Sequence, residues 1–279
     1  MKMFIIKRFI YLFSLIGIIW FSYGCDHHMF EPDEHNRGGY DNDVRNSNYF
    51  ESESFSYSMS AGRQTRLTIK GINGNITLIG KSGSDSVIIF GEKKVGSESV
   101  SDAREHLRYL SVNVQNYSNE ILAITTQPDD AHGRNYTVNY YVYLPDNYEV
   151  YTDNVNGIIK IESINNFVKV SNVNGEVRLS NINGATNISI VNGTIQCKQY
   201  LPLNAAAQMN MVNGNIYMDI PTTTSAEVTA SVVIGDISTS NLAFSKQFKT
   251  INSLSGSLGG GYGKIKLNTV NGRIVITGF

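Results

Sequence analysis

The sequence predicts an all-β protein: a right-handed parallel β-helix, or solenoid, over residues 151–279, preceded over residues 53–150 by a β-sheet lobe with one short helix. A returning phrase is the first observation behind this. It reads Val155-Asn156-Gly157, Val173-Asn174-Gly175, Val191-Asn192-Gly193, Val212-Asn213-Gly214 and Val270-Asn271-Gly272, with echoes at Val233-Ile234-Gly235 and Leu254-Ser255-Gly256. The second is its spacing: glycines at 157, 175, 193, 214, 235, 256 and 272 are 18, 18, 21, 21, 21 and 16 residues apart, close to one circuit of a small solenoid. The third is parity. After each glycine the apolar residues fall at even offsets, as in Val177 and Leu179 or Ile195 and Cys197. Before it they fall in the opposite parity, as in Val168 and Val170 or Ile188 and Ile190. Alternate residues of a strand face opposite sides, so an odd shift means strand, corner, strand.

Asn-Gly between apolar runs is also the strongest short hairpin signal, which would give an antiparallel meander. A meander has no need to return the glycine in constant parity, whereas parallel coils stack each position about 4.8 Å above its copy. The parallel coil is therefore preferred, with six or seven coils. The expected repeat-turn residues are Asn156, Gly157, Asn174, Gly175, Asn192, Gly193, Asn213, Gly214, Asn271 and Gly272. A half-period at Asn165-Asn166 and Asn183-Gly184 suggests a second left-handed bend, because both residue types tolerate positive φ.

In chain order, Lys2, Lys7 and Arg8 precede an apolar run from Phe9 to Phe21, and Ser22-Tyr23-Gly24-Cys25 follows. This is the pattern of a secretory signal peptide over residues 1–24. A Cys directly after the small residue is similar to the lipobox of bacterial lipoproteins, although Ser22 stands where Leu is usual. That resemblance implies lipid attachment at Cys25 and anchoring to the outer membrane of the cell envelope. Ordinary cleavage with an incidental Cys25 is the rival reading. Removing three basic residues takes the charge from 23 − 24 = −1 to 20 − 24 = −4, which argues against a nucleic-acid partner.

Residues 25–52 are polar and read as a flexible tether. His27, His28 and nearby carboxylates on such a segment lack preset geometry for a metal. From Phe55 to Val150 alternating runs predict strands, Ser99 to Leu110 predicts a helix, and Ile72-Asn73-Gly74 is an early copy of the phrase. This region is expected to cover the first coil. Gly259-Gly260-Gly261-Tyr262-Gly263 reads as a wide turn: Ile265 stands where a phosphate loop needs Ser or Thr, and no helix follows.

The recurrent Val-Asn-Gly phrases, the Leu144-Pro145 ending of the first region and the Gly259-Gly260-Gly261 turn before Thr269-Val270-Asn271-Gly272-Arg273-Ile274 together resemble the putative adhesin family of bacterial β-strand-repeat proteins, a domain of unknown function. The resemblance covers residues 55–279. It implies a solenoidal fold in an envelope-exposed protein and supplies no catalytic residues.

The residues themselves point away from catalysis. All five histidines, at 27, 28, 35, 106 and 132, lie outside the solenoid, which removes the usual acid–base residue and the commonest metal ligand. His106 is expected on the helix's exposed side. Asp129, Asp130 and His132 read as a solvated loop. The outward columns Ile158, Glu176, Thr194, Asn215, Asp236, Arg273 and Lys160, Arg178, Gln196, Tyr217, Ser238, Val275 stack no two carboxylates on adjacent coils. Cys197, at an inward parity, reads as a buried thiol. The expectation is a non-enzymatic, membrane-anchored envelope protein without cofactor or metal, an adhesin-like binder or scaffold with a protein or glycan ligand. An accessory assembly or regulatory component is the alternative, and a carbohydrate-active β-helix enzyme comes third.

Overall fold

The structure, a computed structural model, describes residues 48–279. The expected signal peptide, the lipid-bearing Cys25 and most of the tether lie outside the described residues. Within them the elements run β1 (Tyr49–Ser60), β2 (Arg66–Lys70), β3 (Ile76–Lys81), β4 (Ser86–Ser97), α1 (Val100–Leu107), β5 (Ser111–Asn116), β6 (Glu120–Thr126), β7 (Asn135–Pro145) and β8 (Glu149–Asn156). The repeat follows as β9 (Ile159–Ile164), β10 (Val168–Ile182), β11 (Thr186–Gln199), β12 (Ala206–Ile220), β13 (Ala226–Ser240), β14 (Phe244–Lys249), β15 (Ser253–Leu258) and β16 (Gly263–Gly278).

Strand β10 shows how the phrase makes a coil. Val168, Val170 and Asn172 are buried before the corner, and Val177, Leu179 and Ile182 after it. Gly175 turns the chain between them at φ 132. The strand therefore bends into two arms that enclose a flat apolar interior. A stack of such coils has two outer faces. Coils pair in parallel and in register: Val170 with Ile188, Gly175 with Gly193, Val177 with Ile195. The same positions continue into β12, as in Ile188 with Met209 and Ile195 with Ile216. No pair of phrases forms a hairpin. The interior is lined by Ile190, Ile195, Met209, Met218, Leu267 and Ile274, each at most 1% exposed. Burying a side chain of this size contributes roughly 1.5–3 kcal/mol before entropy is subtracted.

The order of coils along the stack differs from the order along the chain. β16 lies between β12 and β13, pairing in parallel with both. At the other end β2 and β3 lie between the arms β6 and β7 on one side and β8 and β9 on the other. The expectation of coils laid down in sequence is corrected at both ends. Which strand can enter a gap depends on long-range pairing, to which local periodicity is blind.

Four further corrections follow. Leu254-Ser255-Gly256 is not a coil: β15 runs antiparallel to both β13 and β14. Residues 53–150 do not stand apart, because β2–β3 and β6–β7 are themselves coils, and the boundary at residue 150 falls inside β8. Antiparallel β1, β4 and β5 extend the two faces beyond them. β1 begins at Tyr49, so the last residues of the expected tether pair with β4, Tyr49 with Ser97 and Ser52 with Lys94. The left-handed residues of the second bend are Ser163 (φ 58) and Asn181 (φ 53), not Asn166 or Gly184. Gly184 is small for another reason: a Cβ there would lie 2.0 Å from the Asn166 carbonyl oxygen.

Candidate binding face

The Asn and Gly residues of the five phrases stand at one corner of the stack. Each Asn amide donates to the one on the neighbouring coil: Asn156 to Asn73 at 2.7 Å, Asn174 to Asn156 at 2.8 Å and Asn192 to Asn174 at 2.9 Å. The ladder continues from Asn213 to Asn192 at 2.8 Å and from Asn271 to Asn213 at 2.7 Å. It stops where Ile234 opposes Asn271. Because these amides bond one another, the corner holds the coils in register. The recurrence of Asn was visible in the sequence. Its side-chain bonding was not, since that requires knowing which coils touch.

The more varied outward side chains lie on the arms that follow the corner. Register puts Tyr141, Thr77, Lys160, Arg178, Gln196 and Tyr217 in one outward line across β7, β3, β9, β10, β11 and β12. Between neighbouring strands the step is about 4.8 Å, so the line is about 24 Å long. Beside it runs a shallow groove of about 520 Å³, whose walls include Lys160, Glu162, Arg178, Gln196, Lys198 and Tyr217. At the β7 end Phe90 stacks on Tyr141 with ring centroids 5.6 Å apart, and Tyr143 lies 5.8 Å from Phe90. Lys81 Nζ sits 5.0 Å from the Tyr143 centroid. Tyr141, Tyr143 and Tyr217 are 49%, 37% and 38% exposed, high for rings on a sheet.

Charges of both signs share this face, with Lys160 and Arg178 on neighbouring strands. Arg178 donates to Glu176 at 2.5 Å, which raises the guanidinium pKa, and Arg273 donates to Asp236 at 3.0 Å. The second of these pairs exists because β16 adjoins β13, so the two outward columns are ordered differently from their chain order. Glu162 and Asp219, both on the groove wall, are three strands apart, about 14 Å at 4.8 Å per strand. Paired carboxylates in glycoside hydrolysis stand about 5 to 9.5 Å apart.

The opposite face differs. Its corresponding line runs Thr68, Tyr151, Lys169, Asn187, Gln208, Lys266 and Thr229, and its ring, Tyr151, is half-buried between Phe167, 5.6 Å away, and the Arg66 guanidinium, 4.5 Å away. Asn268 donates to Asn210 and Ser231 to Asn268, both at 2.9 Å, so its small polar groups also bond across coils.

The remaining titratable groups of interest have structural partners. His106 is half-buried, its Nδ1 2.9 Å from the Tyr136 hydroxyl, which corrects the expectation of an exposed histidine. Asp102, one helical turn before it, accepts two hydrogen bonds from Arg134 at 2.6 and 2.7 Å and one from Ser97. These hold its carboxyl well below the usual range. His132 and Asp130 are exposed and 3.5 Å apart. Burial pushes the Cys197 thiol up to about 12. No group of three or more His, Cys, Asp or Glu among the described residues could hold a metal ion.

The Toastrack family model, DUF4097, matches residues 61–277. The chain belongs to the Toastrack family. No curated protein matches this Toastrack chain. Among solved structures it is similar to a putative cell adhesion protein from Clostridium sporogenes, with 12% identity over 82% of this chain and 100% of that one and a TM-score of 0.47. It is also similar to a putative adhesin from Bacteroides fragilis, with 10% identity over 81% and 97% of the two chains and a TM-score of 0.31. No helix among the described residues of this Toastrack protein is long and apolar enough to cross a membrane.

Proposed function

We propose that this is a non-enzymatic, adhesin-like binding or scaffold protein of the cell envelope, anchored through lipid on Cys25 and presenting the Tyr141–Tyr217 face to a partner. The carrying observation is the alignment, on rigidly paired strands, of exposed rings and hydrogen-bonding side chains over about 24 Å. A rigid sheet loses little entropy when it binds, which suits recognition. The separation of Glu162 from Asp219 supports a binding reading over a hydrolytic one. The coil is taken as right-handed, the hand of about 98% of parallel crossover connections.

The test uses a C-terminally tagged full chain in a bacterial host with an outer membrane. Protease added to intact cells should remove the tag, and Cys25→Ala should move the protein from the membrane to the soluble fraction. Cells displaying it should attach to host-cell or biofilm-matrix surfaces more than cells that lack it. A tag protected from protease, with no gain in attachment, would sink the reading.

A further inference from the structure

We infer that the partner is a neutral, hydroxyl-rich glycan lying across the strands, with Tyr141 and Tyr217 as stacking platforms at the two ends of the line. This rests on the binding-protein reading above and names its ligand.

A sugar ring offers a face of C–H bonds and a rim of hydroxyls, each able to donate and accept. Its complement is a flat ring beside side chains of both hydrogen-bonding kinds. The line supplies these in order: Tyr141, then Thr77, Lys160, Arg178 and Gln196, then Tyr217. Phe90 stacks against Tyr141 and fixes its position while about half of the residue stays exposed. Tyr217 is the more telling residue. A cross-strand ring or β-branched neighbour is the usual reason for an outward aromatic on a sheet; Val275 supplies one on one side only, Gln196 stands on the other, and 38% of the residue stays exposed. No other ring or cation among the described residues lies against it.

Charge selects the ligand class. Lys160, Arg178 and Lys198 are matched on this face by Glu162, Glu176 and Asp219. With three of each sign, the middle of the line has no net field to attract a polyanion; Lys81 lies outside it against Tyr143, and Arg273 is paired with Asp236. Protein–protein interfaces are depleted of charged residues at their centre, whereas here the charges occupy the middle and the rings the ends. A chain of neutral sugars uses both the donors and the acceptors.

The experiment is calorimetry and array binding of the full chain, purified in detergent, against cellohexaose, chitohexaose, laminarihexaose and mannohexaose, with a heparin hexasaccharide as the anionic arm. At least one neutral hexasaccharide should bind, and Tyr217→Ala should weaken it about tenfold or more, the cost of one stacked ring. Tyr141→Ala should act likewise, and Asn187→Ala on the opposite face should leave binding unchanged. Thermal melting is run on each variant. Should Tyr141→Ala unfold the chain through loss of the Phe90 stack, Tyr217→Ala still decides. Binding of heparin alone, of no neutral sugar, or binding indifferent to Tyr217→Ala would overturn the inference. Cell attachment that survives periodate oxidation of the target surface but is lost on protease treatment would overturn it too, while leaving the binding-protein reading intact.

Discussion

At Gly193 two requirements coincide. Its φ is 147, and a Cβ would stand 1.6 Å from the carbonyl oxygen of Gly175 on the neighbouring coil. Gly83 separates them: its φ is 70, but a Cβ there meets nothing within 4 Å. Gly83→Ala should cost about 1–2 kcal/mol, the left-handed penalty alone. Gly193→Ala should cost well over about 3 kcal/mol, because the coils must also part. Urea titrations of the two variants measure the difference, and equal losses would show that the close approach is unimportant. Positive φ at the phrase could be read from the recurring glycine; the carbonyl above it could not, since it belongs to another coil. Cys197 makes a second prediction at this scale. Burial raises its pKa from 9.0 to about 12, so the folded state disfavours the thiolate. Above the unfolded pKa only the unfolded chain releases the proton, and stability falls as the pH climbs from about 9 toward about 12. Tyr140, also raised to about 12, adds to the same loss. Cys197→Ala should flatten this alkaline slope in denaturant titrations at successive pH values, and an unchanged slope would count against a buried thiol.

Elements were legible where burial alternates, and less so where a single contact decides. Helix α1 appears where expected, capped by Ser99, whose side chain accepts from the Asp102 amide at 3.1 Å. Ala103 and Leu107 are buried, but Val100 is 42% exposed, because the first turn is held by the cap and not by packing. Beside the His106–Tyr136 contact, what ties the helix to β7 is Asp102 with Arg134, a residue 32 positions on, past β5 and β6, in the polar loop just before β7. Asp102→Asn should cost about 2 kcal/mol near neutral pH, the worth of charge-assisted hydrogen bonds on a mostly buried pair. The native carboxyl titrates below its unfolded value of 3.8, so its contribution is present above that value and is lost as the pH falls below it. The gap between wild type and variant should therefore shrink from about pH 7 to about pH 2; a constant gap would mean the charge is irrelevant. Edge strand β14 was not foreseen at all. It pairs only with β15, carries Lys246 and Lys249, and has a bulge with Lys246 at φ 51, devices that discourage a further strand from adding.

For the whole molecule, the insertion of β16 sets an order of assembly. β10 and β11 meet their neighbours after 18 or 21 residues, as the Asn192–Asn174 and Asn213–Asn192 bonds show. β16 must reach Asn213 from 58 residues away and Asp236 from 37. It can do so only once β12 and β13 stand one strand apart, about 9.6 Å, because it pairs with both. Loop-closure entropy delays such contacts relative to the local ones. Stacked coils gain stability mainly from their nearest neighbours, so β10 to β12 can form while the gap beside β12 is still open. Pulsed hydrogen exchange during refolding should protect amides of β10 and β11 first and those of β16 and the facing arms of β13 together in a later phase. Deleting residues 262–279 should abolish the late phase and leave the early one unchanged. If β16 amides gained protection as early as those of β11, the strand would not be entering a prepared gap, and the interleaved order would have to arise from a collapsed state in which no coil precedes another.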